Sequence, residues 1–295
     1  YEGEWKEGIK EGNGIFICKN KFQYIGKYKN DIMDGYGTIN YKNGDEYKGF
    51  VKNGKKEGKG RYKYKNGNIY DGYFLNDMSI GKRKIIEKDG NKYVGYFEND
   101  DNNNNDILIE NGTIIFKNNE RYEGEIKDGN PEGKGKYFYN NGNIYEGYMK
   151  NNKKEKYGIL LYNNGNKYEG EFNNDKCEGK GVYSTKDYIY KGEYKNDKIN
   201  GKGIQYFHLG QKYEGDFKDG AFEGNGIFYY QDGSKYDGKW KKNERDGKGI
   251  MYFNNGDKFE GEWKNGKVAG NGIYYFVNGE MEIGEYSNNK KIGLF

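Results

Sequence analysis

The chain has 295 residues, of which 33% are hydrophobic and 33% charged, with one proline and a net charge of +4. Such low hydrophobicity borders on disorder, but 33 tyrosines and 16 phenylalanines recur at fixed phase, and rings of that size build a thin core from few residues. The small net charge supports neither nucleic-acid nor membrane binding by itself, and two cysteines far apart in sequence, Cys18 and Cys177, exclude a disulfide framework and point to a reducing compartment.

The first fourteen residues, YEGEWKEGIKEGNG, set the pattern for everything that follows. YEGEW alternates with period 2, the mark of a strand with Tyr1, Gly3 and Trp5 on one face and Glu2 and Glu4 in water. Gly3 is expected to leave room for a ring of the neighbouring strand to lie flat on the backbone. A loop ending in the turn glycines Gly12 and Gly14 leads to IFIC at 15–18, a second strand. The template restarts at Tyr24, Tyr47, Tyr70, Tyr93, Tyr122, Tyr145, Tyr168, Tyr190, Tyr213, Tyr236 and Phe259, with a truncated unit from Glu282, so the period is 23 residues and the chain is a repeat array. Later second strands read RYKY at Arg61, KYFY at Lys136, IFYY at Ile227 and IYYF at Ile273. Asn-Gly pairs such as Asn43-Gly44, Asn66-Gly67, Asn141-Gly142 and Asn255-Gly256 then join units, and Asn-Gly between alternating segments signals a hairpin.

The prediction is an all-β chain: one continuous array over 1–295, a single-layer antiparallel sheet growing by two strands per unit. At ~4.8 Å per strand, about twelve units make a rod on the order of 110 Å long. Three irregularities interrupt it. Six extra residues enter the fifth unit around 100–106, one residue is missing before Tyr190, and the last unit, 282–295, is truncated. Arg83, Glu110 and Lys156 replace a turn glycine, so units four, five and seven are expected to be irregular. Because the chain starts at Tyr1, in register with the repeat, it is expected to be a piece of a longer protein.

YEGEWKEGIKEGNG, followed nine residues later by another Tyr-x-Gly, resembles the MORN repeat (membrane occupation and recognition nexus), and the resemblance spans essentially the whole chain. It implies an elongated, twisted single-sheet rod of hairpins. It also implies a scaffold or adaptor: ciliary radial-spoke heads, junction-forming membrane tethers, cortical and cell-division organisers of protists, or regulatory arrays attached to lipid kinases or methyltransferases. The expected location is cytoplasmic, on the cytoskeleton or a membrane. The heavy use of Asn, Lys and Ile, with A/T-rich codons, fits an A+T-biased protist genome.

Catalysis is not expected. His208 is the one histidine and reads as a solvated turn residue. No phosphate-binding Gly-x-x-x-x-Gly-Lys-Ser/Thr occurs, no Cys/His cluster offers a zinc site, and neither cysteine has a base beside it in sequence. Carboxylate pairs such as Glu2 with Glu4, or Glu169 with Glu171, recur as solubilising, lysine-pairing residues. No cofactor, metal or small-molecule substrate is expected.

Two surfaces remain. The unit from Tyr47 sets Lys48, Lys52, Lys55, Lys56, Lys59, Arg61, Lys63 and Lys65 against Glu57 alone, and Lys82, Arg83 and Lys84 extend it, a candidate for anionic or phosphoinositide headgroups. Nucleic acid is argued against there because the stretch lacks an exposed aromatic ladder for base stacking. In the last four full units the outward places of the second strand are Ile204 and Tyr206, Ile227 and Tyr229, Ile250 and Tyr252, and Ile273 and Tyr275. An apolar stripe about 30 Å long on a face that should be wet marks an interface. The dimerisation through C-terminal repeats that the resemblance implies makes a second copy the expected partner.

Overall fold

The computed structural model describes residues 1–99 and 106–293. The inserted run at 100–105, the side chain of Glu110 and the last two residues of the truncated unit lie outside the described residues. By contact the chain falls into two compact units, residues 1–141 with 149–152, and residues 142–148 with 153–295. In the first, β1 (Glu2–Lys6), β2 (Ile9–Cys18), β3 (Phe22–Lys29), β4 (Ile32–Tyr41), β5 (Glu46–Lys52), β6 (Lys55–Lys63), β7 (Ile69–Leu75), β8 (Met78–Ile86) and β9 (Lys92–Asn99) each pair antiparallel with the next. The meander continues to the strand Asn130–Phe138. The second unit repeats it from Lys153–Leu161 to Lys290–Gly293. The fold is all-β, hairpin after hairpin, with no helix among the described residues.

Two kinds of turn alternate, and both differ from the sequence expectation. Within a unit, the strands are joined by two residues that both have positive φ, as at Glu7-Gly8, Asn30-Asp31, Asn53-Gly54 and Asn174-Asp175, the type I′ geometry whose twist matches that of the flanking strands. β2 therefore starts at Ile9, not after Gly14. Gly12, at φ +75°, bulges inside the paired segment where the register with β1 shifts, and Gly14 is extended strand. Between units, Gly44 N–H donates to Tyr41 O at 3.0 Å, Tyr41 N–H donates to Asp45 O at 2.9 Å, and Gly44 alone turns left-handed at φ +95°. Asn43 contributes its side chain, whose Oδ1 accepts the Asp45 N–H at 3.0 Å. The Asn-Gly pair marks this hairpin, but as an Asx-stabilised loop.

The core is a row of tyrosines lying on glycine backbone. Gly26 of β3 faces Gly37 of β4, and a Cβ on either would sit 2.4 Å from Tyr24 Oη or 2.5 Å from Tyr24 Cε2. For Gly26, the counterpart of Gly3, the ring comes from its own strand, two residues back, and not from the neighbouring strand as expected; Gly37 receives the same ring from across the ladder. Its hydroxyl also lies within reach of backbone: Tyr24 Oη donates to Lys27 O at 3.0 Å, Tyr47 to Phe50 O at 2.7 Å, and Tyr213 to Asp216 O at 3.0 Å. Tyr24, Tyr47, Tyr190 and Tyr213 are fully buried. A second ring, four residues on, packs edge-on against its own tyrosine and that of the preceding unit: Tyr28 lies 5.4 Å from Tyr24 and 5.0 Å from Tyr1, and Trp240 lies 5.3 Å from Tyr236 and 5.4 Å from Tyr213. Each hairpin thus buries its rings only against a neighbour, which is why the sequence repeats.

Carboxylates fasten neighbouring units at the type I′ turns. Glu11, Glu57 and Glu223 accept the N–H of Asn30, Asn76 and Lys242 in the next unit at 3.0, 3.2 and 3.1 Å. In return, Asp31 and Asp175 accept the N–H of Lys10 and Lys154 at 2.8 and 2.9 Å. The irregularity expected of unit seven is not seen at its substituted glycine: Lys156 takes φ +53°, and pairing from Lys156 to Leu161 runs without a shift. In unit four, Arg83 fills the glycine place with its guanidinium 5.5 Å from the centroid of Tyr70. In unit five the register breaks between Ile109 and Thr113.

Candidate interaction surfaces

With the tyrosines on one face, each strand turns its remaining residues to the other. The position three after the cradle tyrosine is an acid in many units, and it does more than solubilise. Glu4, Glu125, Glu171 and Asp216 accept the bulge N–H of Asn13, Lys134, Lys180 and Asn225 at 3.1, 3.0, 3.0 and 2.9 Å. In these four units the second carboxylate of the acid-Gly-acid pair therefore caps a backbone donor that the bulge leaves out of the ladder. Sequence offers no signal for this role, because Gly12 has the look of a turn residue there and only the facing strand makes it a bulge.

In the second unit, the eight ladder residues share one outward face but are not a continuous apolar stripe. Across the strands the isoleucines alternate with acids, in the order Ile204, Glu214, Ile227, Asp237, Ile250, Glu260, Ile273. The tyrosines alternate with lysines, in the order Tyr206, Lys212, Tyr229, Lys235, Tyr252, Lys258, Tyr275. The lysines lie over the rings, with Nζ of Lys212, Lys235 and Lys258 at 4.1, 4.5 and 4.1 Å from the centroids of Tyr229, Tyr252 and Tyr275. Lys212 and Lys258 also meet Glu214 and Glu260 at 3.1 and 3.4 Å. Period-2 reading found the outward positions of one strand and missed what the partner strand set between them. Ile204, Ile227 and Tyr229 line a shallow groove of about 880 Å³ whose floor includes Gly192, Gly203, Gly215 and Gly226.

The basic stretch of the first unit divides between the two faces. Lys48, Lys59, Arg61, Lys63, Lys82 and Lys84 alternate with the buried ring positions and point outward, as do Lys52 and Lys55 at the turn end of the hairpin; Lys65 is exposed in the following turn. Arg61 is held by Asp71, Nε to Oδ1 at 2.7 Å and Nη2 to Oδ2 at 2.9 Å. Lys56 and Arg83 do not belong to this surface. Lys56 lies half-buried over the rings of Tyr62 and Tyr41, 5.0 and 5.8 Å from their centroids, and burial lowers its pKa. Arg83 is 3% exposed and donates to Ser79 Oγ. The ladder of rings expected to be missing here is present: Tyr36, Phe50, Tyr73 and Tyr96 are exposed on the same face as the lysines.

No group among these is set up as a nucleophile. Cys177 is buried and its thiol is pushed up to about 12, by burial first and then by Asp197, so it stays protonated near neutrality. His208 is exposed in its turn, and among the described residues no cluster of three His, Cys, Asp or Glu could hold a metal ion.

The MORN repeat family model matches residues 1–21, 24–46, 47–69, 122–144, 145–167, 168–188, 190–208, 213–235, 236–258 and 259–281. The chain belongs to the MORN-repeat family. The match omits 70–121, where Arg83 fills a cradle glycine and the insertion lies, and includes the unit with Lys156. No curated protein matches the chain. Among solved structures, the MORN array is similar to the SAS-4 (dCPAP) TCP domain of Drosophila melanogaster in complex with a proline-rich motif of Ana2 (dSTIL), at 17% identity over 52% of this chain and 85% of that one, with a TM-score of 0.35. The TCP10c domain of Drosophila melanogaster Sas-4 matches at 17% identity over 70% and 93%, TM-score 0.23. The wild-type TCP10 domain of Danio rerio CPAP matches at 9% identity over 92% and 100%, TM-score 0.17.

Proposed function

We propose that this MORN array is a non-catalytic scaffold that assembles with protein chains, a second copy of itself first, through the outward face of residues 204–275. The observation that carries this reading is the self-complementarity of the two rows. A row alternating Ile with Glu or Asp lies beside a row alternating Tyr with Lys. A two-fold axis running across the strands would set the acid row of one copy on the lysine row of the other, with Ile and Tyr between them. MORN family membership and the unpaired cysteines support a cytoplasmic protein on the cytoskeleton or a membrane. Changing Tyr229 and Tyr252 to Lys leaves the cradle face untouched, so the fold should persist while self-association is lost in sedimentation velocity. A parent that sediments as a monomer, or a variant that associates as well as the parent, contradicts the reading.

An anionic, phosphoinositide-containing bilayer is the second reading, favoured by Lys48, Lys59, Lys63, Lys82 and Lys84 on one outward face. Binding to such vesicles should weaken when Lys55, Lys59 and Lys63 become Glu and should fall steeply with salt. Vesicle flotation that is insensitive to both removes it.

A further inference from the structure

We infer that the outward face of β4 to β9 is a binding surface for single-stranded nucleic acid. Tyr36, Phe50, Tyr73 and Tyr96 are 48, 52, 55 and 59% exposed, and the register sets them in one line. Tyr36 stands opposite Phe50, Lys59 opposite Tyr73, and Lys82 opposite Tyr96. Phe50, Tyr73 and Tyr96 each follow a cradle tyrosine by three residues on β5, β7 and β9, so the rings recur about every 10 Å. A second line runs parallel to it, about 7 Å away. In register order it is Thr38, Lys48, Arg61, Asp71, Lys84 and Val94. Asp71 is the one carboxylate in the two lines, and Arg61 holds both its oxygens.

In six other full units the ring position is an acid, and Glu4, Glu125, Glu171 and Asp216 cap the bulge with it; in the remaining three it is Lys27, Tyr148 or Lys239. Phe50 and Tyr73 have no carboxylate to make that bond, and both stay about half exposed; Phe50 packs edge-on against Tyr36, their centroids 5.4 Å apart. What they offer is a file of π-faces beside a file of cations. Single-stranded nucleic acid fits this arrangement: bases stack on aromatic rings without regard to sequence, while a positive track follows the phosphates. A duplex keeps its base faces covered. A bilayer calls for charge and apolar area but has no use for rings and cations in two single files.

The test is fluorescence anisotropy of labelled dT20 and U20 with the whole chain, titrated over salt. Both oligonucleotides should bind, with an affinity that falls as salt rises. Phe50→Ala with Tyr73→Ala should weaken binding by about tenfold or more, with circular dichroism unchanged because both rings are exposed. Phe50→Tyr with Tyr73→Phe should restore the parent affinity. A 20-base-pair duplex should bind more weakly than either strand. The inference is overturned if neither oligonucleotide binds at low salt, or if the alanine pair binds as the parent does. It is equally overturned if duplex and single strand bind alike, or if phosphatidylserine vesicles alone are bound and the ring changes abolish that. The measurement is independent of self-association through residues 204–275, which lie in the other compact unit.

Discussion

The MORN units at Tyr47 and Tyr70 and those at Tyr168 and Tyr213 share one ring-on-glycine element inside and differ outside. Inside, each sets a buried tyrosine across a strand glycine, with its hydroxyl on the carbonyl three residues on. Outside, the third residue after that tyrosine is Phe50 or Tyr73 in the first pair and Glu171 or Asp216 in the second. The acids cap a bulge and the rings do not. The tyrosine and the glycine of its own strand admit almost no variation because they are pressed together, whereas the facing strand does vary, as Lys56 and Arg83 show. The difference teaches that what these stretches present to a partner is written on the outward face.

The largest effect should confirm that the interiors are equivalent. Tyr24→Ala and Tyr213→Ala each remove a fully buried ring, and each is expected to destabilise its own unit by about 3–5 kcal/mol, read from urea denaturation. A large disparity between the two breaks the claim of a common core. Smaller effects should separate the exteriors. Asp216→Ala uncaps the Asn225 N–H and should cost about 1 kcal/mol, whereas Phe50→Ala loses only the edge-on contact with Tyr36 and should cost less, roughly 0.5 kcal/mol. Phe50→Glu, which supplies the cap found in the other region, should stabilise the chain.

The smallest effect is on pH dependence, and its sign differs between the regions. Burial disfavours the Asp216 carboxylate, but the ion pair with Lys202 and the Asn225 N–H outweigh it and hold the group below the usual range. The Val277 N–H and the Tyr274 hydroxyl hold Asp257 low as well. Burial, then Asp89, pushes Glu87 up. A lowered carboxyl contributes stability that is present above its unfolded pKa and lost as pH falls through the folded one; a raised carboxyl contributes below its unfolded pKa and loses it as pH rises through the folded one. Hydrogen exchange, corrected for its intrinsic pH dependence, should therefore quicken near residues 216 and 257 as pH drops below about 4, and near residue 87 as pH climbs above about 4.3. The same direction at both sites would contradict these assignments.

Much of this was legible in the sequence, because a 23-residue period carries the strand pattern, the leading aromatic ring and the strand glycine twelve times over. What escaped was set by the partner strand. Gly12 and Gly14 look alike in one dimension, yet one bulges and the other lies under Tyr1, a distinction that depends on the facing strand. Glu-Gly-Asn-Asp variety at the type I′ positions hid a turn that needs only two residues tolerant of positive φ. The Ile and Tyr ladder lies on the expected face, but the acids and lysines between its rungs come from the facing strands, as Glu214 does beside Ile204 and Lys212 beside Tyr206. The exposed rings are hard to see in one dimension because Phe50 and Tyr73 sit in a slot that holds an acid in six other units.

The central claim, that the outward face of residues 204–275 assembles chains while the core merely holds it flat, meets its most direct test in sedimentation equilibrium of the parent beside Tyr229→Lys with Tyr252→Lys. The account predicts a dimeric parent and a folded, monomeric variant. A monomeric parent, or a variant that remains dimeric, would contradict it.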